Sequence, residues 1–251
     1  MDGFVHISEL EKRGRVKALY SRSQICRWPV FENEGSQGND YDVLAQELGI
    51  TPDAMLRLPQ VHSASIRVID GSHTGEGVVR PVSIFGYDGM ITKSRRIALC
   101  TVEADCIPVY LFDPVKEVVG MVHSGWKGTS GRISREAVRL MQEEFSCSCK
   151  DIVAYIGPGI CGDCYEVGGE LKEEFLKSFS ESETESFFTQ KDNGKYLLDL
   201  KKAVVCTLLH SGLLNDHITD PGICTYESAD LCSWRRDADK TARMLTAIML
   251  I

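Results

Sequence analysis

Three short segments set reactive side chains against apolar runs. Gln60-Val61-His62 opens an alternating stretch that reads as a strand. Ala104-Asp105-Cys106-Ile107-Pro108 interrupts an apolar region with a charge and a thiol. Val122-His123-Ser124-Gly125-Trp126 ends a buried-type strand with an imidazole. A polar side chain at the end of a core strand carries a desolvation cost unless it is satisfied or used. Two imidazoles and a thiolate are preferred donors for Zn²⁺, and three protein ligands leave a fourth position for water or substrate. His62, Cys106 and His123 lie 44 and 17 residues apart, a spacing with no local metal signature. The same residues admit a second chemistry. Cys106 could be a nucleophile activated by His123, with backbone donors of the glycine turn stabilising an oxyanion, as in acyl transfer or deamidation. Two core histidines and one buried thiol are the plain alternative, and spacing leaves all three open.

Copper fits less well. A blue-copper site needs two His, one Cys and a weak axial Met, and multicopper clusters need many more imidazoles. The chain has six His, and beyond His62 and His123 the remaining His6, His73, His210 and His217 are scattered. Ten Cys in 251 residues are about 4%, below the roughly 8–10% of disulfide scaffolds. The N-terminus Met1-Asp2-Gly3-Phe4-Val5-His6 lacks the basic-then-apolar order of a signal peptide, so the thiols are expected to be reduced. Cys26, Cys100 and Cys206 read as small buried hydrophobes. Cys147 and Cys149 flank Ser148 after a predicted helix. Cys161 and Cys164 form a single CxxC, a weak zinc or redox signal without a second pair or a following helix start.

The elements that must position these residues follow from periodicity. Alternation over residues 60–70 predicts a strand, and residues 78–91 a second one with a bend at Gly86 or Gly89. Residues 97–112 read as strand, polar break, strand, and residues 117–123 as a further buried strand. Ile133 to Phe145 places Ile133, Ala137, Leu140, Met141 and Phe145 on one helical face. Further helices are predicted over 42–48, stopped by Gly49, over 168–179, and over 199–210 with Asp199 as N-cap and Gly212 as stop. Residues 152–156 read as a strand, 22–40 as a surface loop, and 242–251 as an apolar strand or helix. Strands and helices mix without strict alternation, which predicts an α/β (α+β) fold of mixed β-sheets flanked by helices. Dinucleotide and phosphate-loop fingerprints are absent.

Lys+Arg number 28 and Asp+Glu 36, a formal charge of −8, which disfavours nucleic acid as a partner. Apolar residues at 43% and charged ones at 25% are the mix of a globular protein. No apolar run approaches the roughly 20 residues that span a bilayer. The expectation is one cytoplasmic domain over residues 1–251, monomeric or homodimeric, with no membrane partner.

The motifs together resemble the YfiH-like family. They are Gln60-Val61-His62, Asp88-Gly89-Met90-Ile91-Thr92, Ala104-Asp105-Cys106-Ile107-Pro108 and His123-Ser124-Gly125-Trp126-Lys127-Gly128. Ile156-Gly157-Pro158-Gly159-Ile160, Tyr165-Glu166-Val167-Gly168, Cys224-Thr225 and Ser233-Trp234-Arg235-Arg236-Asp237 follow in the family's order. Members have been called polyphenol oxidases with laccase activity, peptidoglycan editing factors, and purine nucleoside phosphorylases with adenosine deaminase activity. The resemblance covers about Leu56 to Ile251. It implies a fold akin to the catalytic domain of cytotoxic necrotizing factor, a Cys–His deamidase. It also implies that His62, Cys106 and His123 are zinc ligands, Cys106 and His123 thereby being catalytic.

Under this resemblance the expected function is a zinc-dependent purine nucleoside phosphorylase of the adenosine, inosine and methylthioadenosine class, with adenosine deamination second. A peptidoglycan-editing factor, a Cys–His hydrolase and a copper polyphenol oxidase are the alternatives. Purine nucleoside and phosphate are the implied partners. Asp105 and Glu166 are candidate proton carriers. Arg22, Arg235 and Arg243 are candidates to hold phosphate, and Trp126 to stack on the purine. Ser124 replaces the family's Ala, Leu231-Cys232-Ser233-Trp234-Arg235-Arg236 replaces Phe-Ser-Tyr-Arg-Arg, and Thr241-Ala242-Arg243 replaces Thr-Gly-Arg. The Asn-Arg pair that many members carry before an early helix is absent, with Asp40-Tyr41 in its place, so phosphate is expected to bind weakly or through another cation.

Overall fold

The computed structural model describes residues 3–23, 39–238 and 242–251. Most of the loop expected over residues 22–40, with Cys26, and Thr241 of the late motif lie outside the described residues.

Two sheets stack face to face. The first has five strands in the order Phe4–His6, Val16–Ser21, Met244–Leu250, Ala98–Glu103, Met55–Arg57. The second has six, in the order Ile218–Thr219, Val153–Ile156, Ile107–Asp113, Val118–Ser124, Gly89–Thr92, Ile66–Val68. Both are mixed: Met55–Arg57 runs parallel to Ala98–Glu103, and Ile66–Val68 parallel to Gly89–Thr92, among antiparallel neighbours. A small three-stranded sheet, Glu166–Val167, Tyr196–Leu198 and Phe188–Gln190, lies apart in the chain.

Side chains of a strand alternate between faces, and here both faces of the six-stranded sheet are buried. Ile107, Val109 and Leu111, with Val118 and Val122, pack on the helices Ile133–Phe145 and Leu200–His210. Tyr110, Phe112, Val119 and Met121 point the other way, onto Tyr20, Leu56, Leu99 and Ile248 of the five-stranded sheet. Burial on both faces explains why these strands read as continuous apolar runs. The outer face of the five-stranded sheet takes Leu44, Ala45 and Leu48 of the helix Asn39–Leu48. Within Ile133–Phe145, Ile133, Ala137, Val138 and Met141 are buried, each large apolar side chain contributing roughly 1.5–3 kcal/mol.

Several expectations are corrected. The strand predicted over residues 60–70 is only Ile66–Val68. Residues 60–62 cannot extend it, because His62 sits in the left-handed region at φ 60 and the N–H groups of Val61, His62 and Ser63 are taken by the Asp88 carboxylate. The bend is at Gly86 (φ +88), while Gly89 opens the strand Gly89–Thr92. The helix predicted over 168–179 is shorter, Gly169–Leu176. Asp199 does cap Leu200–His210, accepting from Lys202 N–H at 2.9 Å, and the C-terminal segment is a strand, Met244–Leu250. Cys100 is buried as expected, but Cys206 is half-buried with its Sγ 3.3 Å from a Glu183 oxygen.

Candidate metal centre

The three candidate ligands meet because the chain changes sheets at one end of the stack. It leaves the five-stranded sheet at Arg57 and joins the six-stranded sheet at Ile66, and His62 lies in that crossing. It crosses again between Glu103 and Ile107, where Cys106 sits. His123 closes the strand Val118–Ser124 opposite Pro108, next to the second crossing. Both crossings are tight. His62 at φ 60 and Asp105 at φ 84 are left-handed, a conformation that costs a non-glycine residue roughly 1–2 kcal/mol.

One ligand atom from each of His62, Cys106 and His123 lies within 4.8 Å of the other two. Cys106 Sγ is 3.9 Å from His62 Nε2, and the two imidazoles are edge-to-face with centroids 4.9 Å apart. His62 is exposed, Cys106 partly so, and His123 buried. Asp88 organises the group. Its Oδ1 pairs with His123 Nδ1 at 2.9 Å and accepts the His62 backbone N–H at 2.9 Å. Its Oδ2 accepts from Ser63 N–H at 2.6 Å and Val61 N–H at 3.2 Å. Gly125 leaves the room. A Cβ there would stand 2.8 Å from His62 Cδ2 and 3.0 Å from Cys106 Sγ.

Electrostatics prepare the thiol as a ligand, while the anionic neighbours Glu103, Cys106 and Asp88 outweigh burial and raise His123 well above the usual imidazole range, so a metal would displace its proton. Burial alone would raise the Asp88 carboxyl, but the His123 hydrogen bond and the backbone N–H donors hold it at about 2. Burial would likewise raise the Cys106 thiol. The charge of His123 and hydrogen bonds from both imidazoles outweigh it and bring the thiol to about 6. Behind His123, Glu103 is fully buried with Oε2 3.7 Å from His123 Nε2. Neither of its oxygens has a hydrogen-bond partner among the described residues, the neighbouring Thr101 hydroxyl being engaged with Thr246 at 2.6 Å. Burial pushes Glu103 up to about 8. A thiol poised to ionise, an imidazole oriented by a carboxylate and an orphaned buried carboxylate beside it are what a bound divalent cation of the zinc type would satisfy.

The triad lies on a cavity of about 480 Å³. Trp126, Tyr165 and Trp234 supply its aromatic lining, and Arg235 and Arg243 its cations. Arg235 stacks on Tyr165 at 5.1 Å and donates to the Glu166 carbonyl at 2.8 Å. Trp126 lines the cavity and also packs against the core. Asp105 lines the cavity too, but Oδ1 accepts from Thr225 Oγ1 at 2.6 Å and Oδ2 from the Arg235 N–H at 2.7 Å. Two residues stand elsewhere. The Glu166 carboxylate pairs with Lys191 and Lys195, which hold it down at about 2, and it does not border the cavity. Arg22 pairs with Asp230 away from the cavity lining. Asp88, Glu103, Tyr165 and Trp234 were not singled out from sequence, although Asp88, Tyr165 and Trp234 stand in quoted motifs. The Glu in Val102-Glu103-Ala104, a charge ending an apolar run, was a signal for Glu103.

Fold and site together define a class: a two-sheet α/β protein with a His–Cys–His triad bordering an aromatic, arginine-bearing cavity. The chain belongs to the multi-copper polyphenol oxidoreductase laccase family, whose model matches residues 29–251. It is 34% identical over 191 residues to purine nucleoside phosphorylase YlmD of Bacillus subtilis, covering 75% of this chain and 68% of that one. It is 32% identical over 232 residues to a purine nucleoside phosphorylase of Streptomyces coelicolor, covering 92% and 90%. Adenosine deaminase RL5, from an unknown prokaryotic organism, is 30% identical over 207 residues, covering 82% and 77%. Among solved structures, the hypothetical protein YfiH of Bacillus licheniformis superposes with a TM-score of 0.91 at 25% identity, covering 100% of this chain and 97% of that one. YlmD of Geobacillus stearothermophilus gives 0.86 at 29% identity, covering 94% and 92%. No helix among the described residues is long and apolar enough to cross a membrane.

Proposed function

We propose that this chain is a zinc-dependent purine nucleoside phosphorylase for adenosine, inosine or methylthioadenosine, with adenosine deamination as a second activity. The observation that carries the reading is the joining of a two-imidazole, one-thiol donor set to a cavity walled by flat aromatic rings and two arginines. The relatives named purine nucleoside phosphorylase support the reaction, and the one named adenosine deaminase supports the second activity. Zinc rather than copper follows from the imidazoles: among the described residues only His62 and His123 border the cavity. His6, His73 and His210 face carboxylates elsewhere.

Zn²⁺ held by His62 Nε2, Cys106 Sγ and His123 Nε2 would supply a Lewis acid with an open position. The rest falls to the chain. Trp126, Tyr165 and Trp234 offer faces to the purine, and ring stacking of this kind is worth roughly 1–3 kcal/mol per base. Arg235 and Arg243 offer guanidinium donors to phosphate oxygens. Burial raises the Tyr165 phenol to about 12, so it stays protonated and can donate to a departing purine nitrogen. Asp105, fully engaged, acts as the clasp that keeps the Cys106 crossing on Thr225 and Arg235 rather than as a proton carrier. The helix holding Asp40-Tyr41 covers the outer sheet face and does not border the cavity, which leaves Arg235 and Arg243 as the phosphate cations.

The test is adenosine or inosine incubated with purified protein, with and without phosphate, and products resolved by chromatography. Free base and ribose 1-phosphate formed only with phosphate are expected, with inosine from adenosine as the second product. Base release that ignores phosphate would replace the phosphorylase with a hydrolase. No nucleoside turnover would return the reading to a non-catalytic editing factor.

A further inference from the structure

A second group of metal donors lies outside the triad. Cys161 and Cys164 bracket one 3-10 turn, Gly162–Cys164, whose Cys164 N–H donates to the Cys161 carbonyl at 3.2 Å. Just before this turn, Gly159 bridges Cys224 in parallel. The Gly159 N–H donates to the Ile223 carbonyl at 3.2 Å, and the Thr225 N–H to the Gly159 carbonyl at 3.1 Å. The bridge carries Cys224, 63 residues beyond Cys161, onto the turn. One ligand atom from each of Cys161, Cys164, Cys224 and Glu227 then lies within 4.8 Å of the others. The Cys161 N–H donates to Cys224 Sγ at 3.3 Å, and Cys164 Sγ donates to Glu227 Oε1 at 3.7 Å. All three cysteines are free thiols, and Cys224 is buried.

We infer that Cys161, Cys164, Cys224 and Glu227 form a second, structural site for a divalent cation of the zinc class. Tetrahedral zinc at about 2.3 Å from sulfur sets its thiolates about 3.8 Å apart. The donors lie no more than 4.8 Å apart, at most about 1 Å beyond that spacing, a gap that side-chain torsions can close. Three sulfurs and one carboxylate complete four-coordination, so no position is left for substrate, which marks a structural site. Sulfur donors select zinc over magnesium or calcium. Binding sends the thiol protons to solvent and leaves thiolates on the metal. Buried Lys201, whose Nζ donates to the Ile223 carbonyl at 2.7 Å, brings a positive charge alongside this anionic donor set.

The site would staple two segments that form the cavity wall. Ile160 and Tyr165, on either side of the CxxC turn, line the cavity. Thr225, next to Cys224, holds Asp105 through its hydroxyl at 2.6 Å, and Asp105 precedes Cys106. A cation here would therefore fix the frame of the triad without touching substrate.

Zinc is counted by elemental analysis in the full-length protein, in His62→Ala/His123→Ala and in Cys161→Ser/Cys164→Ser. About two zinc ions are expected per unaltered chain and about one in each double variant. With Co²⁺ in place of zinc, sulfur-to-cobalt charge-transfer absorption per bound metal should be about threefold stronger in His62→Ala/His123→Ala, which keeps three thiolates, than in the cysteine variant, which keeps one. The histidine variant decides even if the cysteine variant does not fold. Zinc retained there with the three-thiolate signal supports the site. Zinc wholly lost from it, or an intact mass showing a disulfide among the three cysteines in protein purified with reductant, overturns it. Zinc retained by the cysteine variant reports on the triad separately, so failure of one site is not mistaken for failure of the other.

Discussion

Asp88 Oδ1 stands 2.9 Å from His123 Nδ1, and the same oxygen accepts the backbone N–H of His62. One carboxylate thus orients one candidate ligand through its ring and sets the backbone of another, which is held left-handed at φ 60. The Nδ1 contact fixes the His123 ring and turns Nε2 toward the triad, where a metal would take the place of its proton.

Asp88→Asn is therefore expected to weaken zinc binding about 10- to 100-fold, the usual effect of losing a partner behind a metal-ligating imidazole. The amide keeps one acceptor oxygen, so the fold should survive. Competition with a fluorescent chelator measures the affinity, and unchanged zinc affinity would remove Asp88 from the centre.

His62→Ala, Cys106→Ala and His123→Ala should each remove the triad zinc and turnover together, and double variants should be no worse than singles, as for residues that act as one unit. The nucleophile alternative needs Cys106 and His123 but gives His62 no required part, and it predicts activity that survives chelation. A fully active His62→Ala protein, or a chelator-resistant enzyme, would decide for the nucleophile.

Gly125→Ala is expected to abolish metal binding at the triad while leaving the fold. The added Cβ would meet His62 Cδ2 at 2.8 Å and Cys106 Sγ at 3.0 Å, closer than such contacts normally come, and both groups belong to the triad. Circular dichroism with metal analysis reads the two effects apart. A zinc content unchanged from that of the unaltered protein would contradict the geometry.

Glu103 carries a pH dependence of definite sign in the metal-free protein. Burial raises its carboxyl from 4.5 to about 8, with His123 opposing and Cys106 adding to the rise. A folded pKa above the unfolded one favours folding at low pH, and that contribution is lost between pH 4.5 and about 8. Glu103→Gln removes the penalty, so its stability relative to the unaltered protein should grow through that window and level off above it. Denaturant unfolding at several pH values checks this, and a difference independent of pH would refute it.

Arg235→Ala and Arg243→Ala should each raise the phosphate KM by about tenfold or more, the loss of one charge-assisted contact of roughly 1.5–3 kcal/mol. Arg235→Ala keeps the backbone N–H that Asp105 requires. Arg22→Ala should leave the phosphate KM near its original value, because Arg22 pairs with Asp230 outside the cavity lining. Phosphate titrations at saturating nucleoside separate the three.

Local pattern alone determined the helix Ile133–Phe145, the Asp199 cap and the buried strands after Cys106, because periodicity and capping act over a few residues and burial on both faces leaves an unbroken apolar run. It also marked His62, Cys106 and His123 by type, but residues 44 and 17 apart carry no signal that they meet. Tertiary structure decided that, by crossing the chain between two sheets at one end of the stack. The same crossing turned residues 60–62 from a predicted strand into a left-handed loop, since its N–H groups found Asp88 instead of a neighbouring strand. It separated Arg235, which borders the cavity, from Arg22 and the Glu166 carboxylate, which found charged partners elsewhere. It also set Cys224 against a CxxC that looked unaccompanied in sequence. Donor chemistry is a property of side-chain type, which a sequence states directly. Convergence of donors depends on long-range strand pairing, and only the folded sheets specify it.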